Sequence, residues 1–202
     1  MPSNFLFRRN FLMSAAVFAG VAALPMPVLA LSEAQARSLI DQLVADINRV
    51  IASGKSENAM IRDFEKIFIK YADVPIMARY ALGSDARGAT SEQMRAFTAA
   101  FTGYISRKYG KRFREFIGAS IEVKSARKIK SGYEIRSTAN LRGEAPFEVT
   151  FLVSDKSGKL KFFNMFIEGV NMLLTERTEI GAMLDRRKGN INELTADLKR
   201  AG

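Results

Sequence analysis

The chain has 202 residues, a formal charge of +10, and neither cysteine nor histidine. Those two absences remove thiol nucleophiles, imidazole bases, zinc sites built on Cys or His, and any Ser-His-Asp arrangement. A basic chain attracts anionic partners, either membrane surfaces or nucleic acid.

The first element is an export signal. Arg8 and Arg9 precede an apolar run from Phe11 to Leu24, and Pro25-Met26-Pro27-Val28-Leu29-Ala30 follows. A charged start, a short apolar stretch and small residues at Val28 and Ala30 predict a signal over residues 1–30, cut after Ala30. The run is shorter than the roughly 20 residues of a membrane span, and prolines end it, which disfavours a retained anchor. Arg8-Arg9-Asn10-Phe11-Leu12 also suits a twin-arginine signal, but paired arginines occur in ordinary signals, so either export route fits. The segment contains two arginines and no acids, so its removal lowers the charge from +10 to +8. Export, and the spread of Lys and Arg along the chain, argue against a nucleic-acid partner.

Residues 31–202 read as a single α+β domain, large enough to be held by its core without disulfides. Ser32 and Gln35 have capping-box spacing, and Leu39, Ile40, Leu43, Val44, Ile47, Val50 and Ile51 then share one helical face before Gly54. A second helix begins after Ser56 and aligns Met60, Phe64, Ile67, Phe68 and Tyr71; a short third follows Asp73 and Pro75 and stops at Gly83. Thr90 and Gln93 repeat the capping spacing ahead of a long aromatic helix bearing Phe97, Phe101, Tyr104, Ile105, Tyr109, Phe113 and Phe116.

From Ile121 the period becomes two, with Ile121, Val123 and Ser125 opposite Glu122, Lys124 and Ala126. After Ser131-Gly132, Tyr133, Ile135, Ser137, Ala139 and Leu141 alternate with polar residues, the clearest strand in the chain. Arg142-Gly143-Glu144 leads to Phe147, Val149, Phe151 and Val153, and Asp155-Lys156-Ser157-Gly158 leads to a strand over Leu160 to Ile167. These short turns predict four neighbouring antiparallel strands. Beyond Gly169 the pattern is helical, and Asn190 and Glu193 open a last short helix with Ile191, Leu194 and Leu198.

The fourth strand is apolar on both faces, Leu160, Phe162 and Phe166 against Phe163, Met165 and Ile167. Either helices pack on both sides of it, or some of these side chains line a cavity. The 15 Phe, 9 Met and absent Trp suit a deformable apolar pocket, but periodicity alone favours ordinary core.

The segment Gly158-Lys159-Leu160-Lys161-Phe162-Phe163-Asn164-Met165-Phe166-Ile167-Glu168-Gly169-Val170-Asn171, continuing to Arg177, resembles the signature of the MlaC (Ttg-type toluene-tolerance) family. Glu168, Gly169, Val170 and Arg177 match its pattern; Leu160, Asn164 and Asn171 stand where the family usually has Trp, Asp and Ser. Tyr71-Ala72-Asp73-Val74, Ala81-Leu82-Gly83 and Ser91-Glu92-Gln93 extend the resemblance over nearly all of the exported domain. It implies an NTF2-like fold, a curved antiparallel sheet of about four strands enclosed by helices around an apolar pocket. It further implies a monomeric periplasmic carrier of diacyl phospholipid. The implied partners are an inner-membrane lipid ABC transporter complex and an outer-membrane lipoprotein complex.

The candidate lipid-binding residues are Phe97, Phe101, Tyr104, Phe113, Phe147, Val149, Phe151, Phe163, Met165 and Ile167, each of which could equally be ordinary core. Glu168 and Arg177 read as structural, a strand-end contact and a helix-surface or ion-pairing residue. The run Arg107-Lys108-Tyr109-Gly110-Lys111-Arg112 suits steering toward lipid phosphates or a plain solvated helix face. No metal or cofactor is expected, and no catalytic residue is visible, because no acidic pair falls among the inward strand positions. The rival readings are a small-molecule enzyme of the same fold, a scaffold that binds only envelope proteins, and a carrier of a different lipid such as a hopanoid.

Overall fold

A computed structural model describes residues 31–111 and 119–202. The predicted signal, together with Arg112, Phe113 and Phe116, lies outside the described residues.

The described residues form six helices and one sheet. Helices α1 (Glu33–Ile51), α2 (Glu57–Tyr71), α3 (Val74–Leu82) and α4 (Ser91–Gly110) come first, with a 3₁₀ turn over Gly83–Arg87 between the last two. Strands β1 (Ser120–Ile129), β2 (Gly132–Asn140), β3 (Phe147–Ser154), β4 (Lys161–Ile167) and β5 (Val170–Asn171) form an antiparallel sheet in sequential order. Helices α5 (Met172–Arg186) and α6 (Ile191–Arg200) complete the chain.

The caps sit where the sequence puts them. Ser32 Oγ accepts from Gln35 N at 3.2 Å while Gln35 Oε1 accepts from Ser32 N at 2.9 Å, and Thr90 and Gln93 exchange the same pair of bonds at 3.1 and 2.9 Å. Each box satisfies two amides that a helix start otherwise leaves unpaired. Asp73 caps α3 through Ile76 N, and Asn190 caps α6 through Asn192 N and Glu193 N.

Two bulges alter the faces that strict alternation predicts. In β1, Val123 pairs with Ser137 and Ser125 with Arg136, so Lys124 is the extra residue, and Ala126 instead of Ser125 continues the face of Ile121 and Val123. In β4, Asn164 pairs with Leu152 and Phe162 with Val153, which leaves Phe163 as the extra residue. Phe162 thereby joins Met165 and Ile167 toward the helices. A bulge adds local twist and bends its strand, and these two help to curve the sheet around the helices.

The short β5 carries too few residues for any period, and no pattern announces it. It forms because Glu168 and Gly169 both take positive φ, 48° and 78°, so that Ile167 and Val170 pair across a two-residue hairpin. Such a turn needs left-handed backbone at both central positions, a conformation that glycine adopts freely and glutamate adopts at a cost. At the other end of β4, Asp73 N donates to Phe162 O at 2.8 Å, and Lys161 Nζ donates to the carbonyls of Ile69 and Lys70 that end α2. The α2–α3 junction is thus fastened to the strand.

Candidate functional site

Between the inner sheet face and the helices lies an apolar cavity of about 390 Å³. Its helical wall comes from Leu43, Ile47, Asn48 and Ile51 of α1, Phe64 and Phe68 of α2, Met77 of α3, and Phe101, Ile105 and Tyr109 of α4. The sheet supplies Ile121, Ala139, Phe147, Val149, Phe151, Phe162, Met165 and Ile167. Asn164, Met172, Leu173 and Glu176 close the side where β4 meets α5, and Ala119, Leu141, Glu144 and Glu168 complete the lining. An aromatic ridge crosses it: Phe64 stacks on Phe68 at 6.3 Å, Phe68 meets Phe162 at 6.3 Å, and Phe162 meets Phe151 edge-on at 5.8 Å. Ring pairs at these spacings are favourable contacts that also hold the wall in shape.

Of the sequence-predicted set, Phe101, Phe147, Val149, Phe151, Met165 and Ile167 line the cavity. Phe97 and Tyr104 are buried away from it, Phe97 stacked on Phe101 at 6.3 Å. Phe163, the bulged residue of β4, is half-buried and stands off the lining. Phe113 lies outside the described residues. The helical wall from α1 and α2 is missing from that set because its residues read as an ordinary amphipathic face. A helix whose apolar stripe borders a cavity has the same periodicity as one packed solidly.

A polar part of the wall comes from α5. Leu173, Glu176, Ile180 and Leu184 form the buried stripe of α5, and a glutamate in that register is a charge placed inside. Glu176 is 2% exposed. Lys108 Nζ donates to its two carboxylate oxygens at 2.9 and 3.1 Å and to Glu179 Oε2 at 2.5 Å, and the Tyr109 hydroxyl donates to Glu176 Oε1 at 2.5 Å. Burial works against the Lys108 charge, but the bonds to Glu176, Glu179 and Tyr104 outweigh it and raise the ammonium pKa. Burial pushes the Tyr109 phenol up, and its bond to Glu176 adds to the shift. Glu179 is held below the ordinary carboxylate range by Lys108. The network joins the end of α4 to α5 at the cavity wall.

Of the basic run, the described Arg107, Lys108 and Lys111 are each engaged internally. Arg107 donates to the carbonyls of Ala201 (Nε, 2.9 Å) and Leu198 (Nη2, 2.6 Å), closing the C-terminus of α6; Lys108 belongs to the Glu176 network; and Lys111 donates to Gly202 O. Glu168 N donates to Glu148 O at 2.9 Å, a strand-end contact, while its side chain stands at the cavity lining. Arg177 is exposed on α5, with its guanidinium 5.2 Å from the Tyr80 ring centroid. Among the described residues no group of three or more potential ligands could hold a metal ion, and no helix is long and apolar enough to cross a membrane.

A curved antiparallel sheet whose inner face and neighbouring helices enclose an apolar space defines a class of α+β fold. Within that class the chain belongs to the MlaC family, since the family model described as MlaC protein matches residues 37–200. Among solved structures it is similar to a phospholipid-binding protein from Ralstonia solanacearum in complex with a phospholipid, with 20% identity and a TM-score of 0.69 over 81% of this chain and 98% of that one. At that identity the likeness shows a shared fold.

Proposed function

We propose that this chain is a periplasmic carrier that holds the acyl chains of a phospholipid in its cavity and passes lipid between inner- and outer-membrane complexes. The observation that carries the reading is the apolar cavity of about 390 Å³ in a chain of the MlaC family, whose structural neighbour binds phospholipid. Each methylene exposed to water costs about 0.8 kcal/mol, so a chain with about 14 of them costs on the order of 11 kcal/mol to carry bare. A protein that encloses the tails removes that barrier. The six cavity-lining residues of the predicted set are proposed to touch the tails; Phe97, Tyr104 and Phe163 support the wall or the strand from outside it.

Glu176 is a buried carboxylate beside a cavity, the feature an enzyme of this fold would need. Its engagement by Lys108 and Tyr109 supports a structural tie and not a free base. The partners proposed are an inner-membrane lipid transporter and an outer-membrane lipoprotein complex. Mass spectrometry tests the cargo: the full chain, exported and purified without detergent, is measured under native conditions and again after organic extraction. A stoichiometric diacyl phospholipid is expected. Protein that is folded, empty, and still empty after incubation with labelled phospholipid vesicles refutes the carrier reading.

A further inference from the structure

Four of the five large hydrophobic side chains most exposed among the described residues sit on α3 and on the β5–α5 segment, whose helix packs against α3. Ile76 (43% exposed) and Tyr80 (38%) stand on α3, and Val170 (56%) and Leu174 (48%) on β5 and the first turn of α5. The chain that carries the second pair also lines the cavity: Ile167, Glu168, Met172 and Leu173 alternate with the exposed residues along the same eight-residue stretch. The exposed patch and the cavity wall are therefore continuous through one short piece of backbone.

The exposed charges on α3 and on the first two turns of α5 are basic. Helix α3 has no acidic residue, and α5 has none in its first turn. Arg79 and Arg177 are both exposed, and neither forms an ion pair among the described residues. Glu176 and Glu179, the next acids along α5, are bound by Lys108; Glu168, two residues before Val170, is an exposed carboxylate that also reaches the cavity lining. Exposed aliphatic side chains, a tyrosine and unpaired arginines together match the boundary of an anionic bilayer, where apolar groups enter the acyl region, an aromatic ring sits at the headgroups and guanidinium groups meet phosphate.

We infer that the α3–α5 face, with Ile76, Tyr80 and Leu174 as the inserted residues and Arg79 and Arg177 as the phosphate contacts, docks the protein directly on an anionic phospholipid membrane with the cavity alongside. Such docking serves the carrier reading above and is measurable apart from it. Arg107 and Lys108 of α4 are not assigned this purpose, because they close α6 and hold Glu176.

The test is flotation of the exported full chain with vesicles of phosphatidylglycerol or of phosphatidylcholine. Binding to the first and not to the second is expected, weakened by salt because exposed charges are screened. The pair Arg79→Gln and Arg177→Gln lowers binding about 25-fold, at about fivefold for each cation near the surface. The pair Ile76→Gln and Leu174→Gln lowers it about tenfold, while Arg95→Gln on the exposed side of α4 leaves it unchanged. Circular dichroism and lipid content, measured on each variant, remain those of the parent chain. A parent chain that does not float with phosphatidylglycerol, or paired variants that both float as it does, overturn the assignment and give the face to a protein partner. Protein that floats but never carries lipid keeps the docking face and loses the carrier reading.

Discussion

Lys108→Met tests whether the polar wall of the cavity is a structural tie. The substitution keeps an unbranched side chain, one atom shorter, and removes the ammonium that lies 2.9 and 3.1 Å from the two oxygens of Glu176. Glu176 is 2% exposed, so its charge is left inside with the Tyr109 hydroxyl as its one remaining hydrogen-bond donor among the described residues. Breaking a buried pair from one side costs about 3–5 kcal/mol, whereas replacing both partners by apolar groups is often neutral. With a urea m-value of about 2 kcal/mol/M, that loss moves the unfolding midpoint down by about 1.5–2.5 M. The double variant Lys108→Met, Glu176→Leu should recover most of it, giving a coupling of about 2–3 kcal/mol. The pH dependence has a definite sign. Lys108 has a folded-state pKa raised above its ordinary 10.5, so its contribution is complete below that value and is lost as pH rises through the higher folded-state one. The gap between parent and Lys108→Met should stay constant from neutral pH to about 10 and narrow in stronger alkali. A midpoint change under about 0.5 M at unchanged m, or an equal loss when Glu176 is already leucine, would refute the tie.

Val149→Trp places an indole at the cavity-lining centre of β3, which should cost about 1–3 kcal/mol in overpacking and abolish bound lipid in native mass spectra while far-ultraviolet dichroism stays unchanged. Asp46 is held at about 2, below its ordinary 3.8, chiefly by the Tyr71 hydroxyl at 2.7 Å and then by Lys70 at 3.0 Å. Because the folded value is depressed, Asp46→Asn should lower stability at pH 7 by about 1 kcal/mol, discounted for solvent screening, and the difference should fade from about pH 4 to about pH 2 in urea titrations. Gly132→Ala would place a Cβ 2.0 Å from Val153 O in the β2–β3 pairing, whereas one on Gly143 meets nothing within 4 Å. The first should therefore cost more than about 3 kcal/mol and the second about 1 kcal/mol of left-handed strain, measured by thermal unfolding.

Local rules wrote most of the fold into the sequence. The Ser32 and Thr90 boxes, Asp73 ahead of Pro75, and the alternation of β2 each depend on neighbours within a few residues, and each appears in the structure as read. The bulges at Lys124 and Phe163 do not, because an extra residue is stabilised by the partner strand and leaves no mark in its own strand's composition. For that reason strict alternation makes β4 apolar on both faces and puts Phe163 on the cavity side, where the bulge places Phe162. The cavity is harder still. Leu43, Ile47 and Ile51 obey the period of a packed helix, and what separates a wall from a core is the absence of atoms opposite, a property of the assembled layers. Arg107 and Lys111 mislead for the same reason, since only the fold shows that their charges meet the end of α6 and Gly202.

The distribution of charge bears on how such a carrier lets go. The chain is strongly basic, yet among the described residues no lysine or arginine lines the cavity, and the described ionisable groups that do, apart from Tyr109, are Glu144, Glu168 and Glu176. A guanidinium inside would bind a lipid phosphate through a paired, partly desolvated contact that is costly to break. Carboxylates cannot form that contact, so for the carrier proposed here the tails supply the holding energy, which scales with enclosed apolar area and vanishes once a bilayer offers the same environment. The cations stand outside, where attraction to a membrane is screened and reversible. Holding and docking then depend on separate residues. A lysine introduced at Asn48 or Asn164, on the cavity wall, should slow lipid release to acceptor vesicles without altering flotation, and release at the parent rate would show that phosphate contacts inside the cavity do not govern transfer.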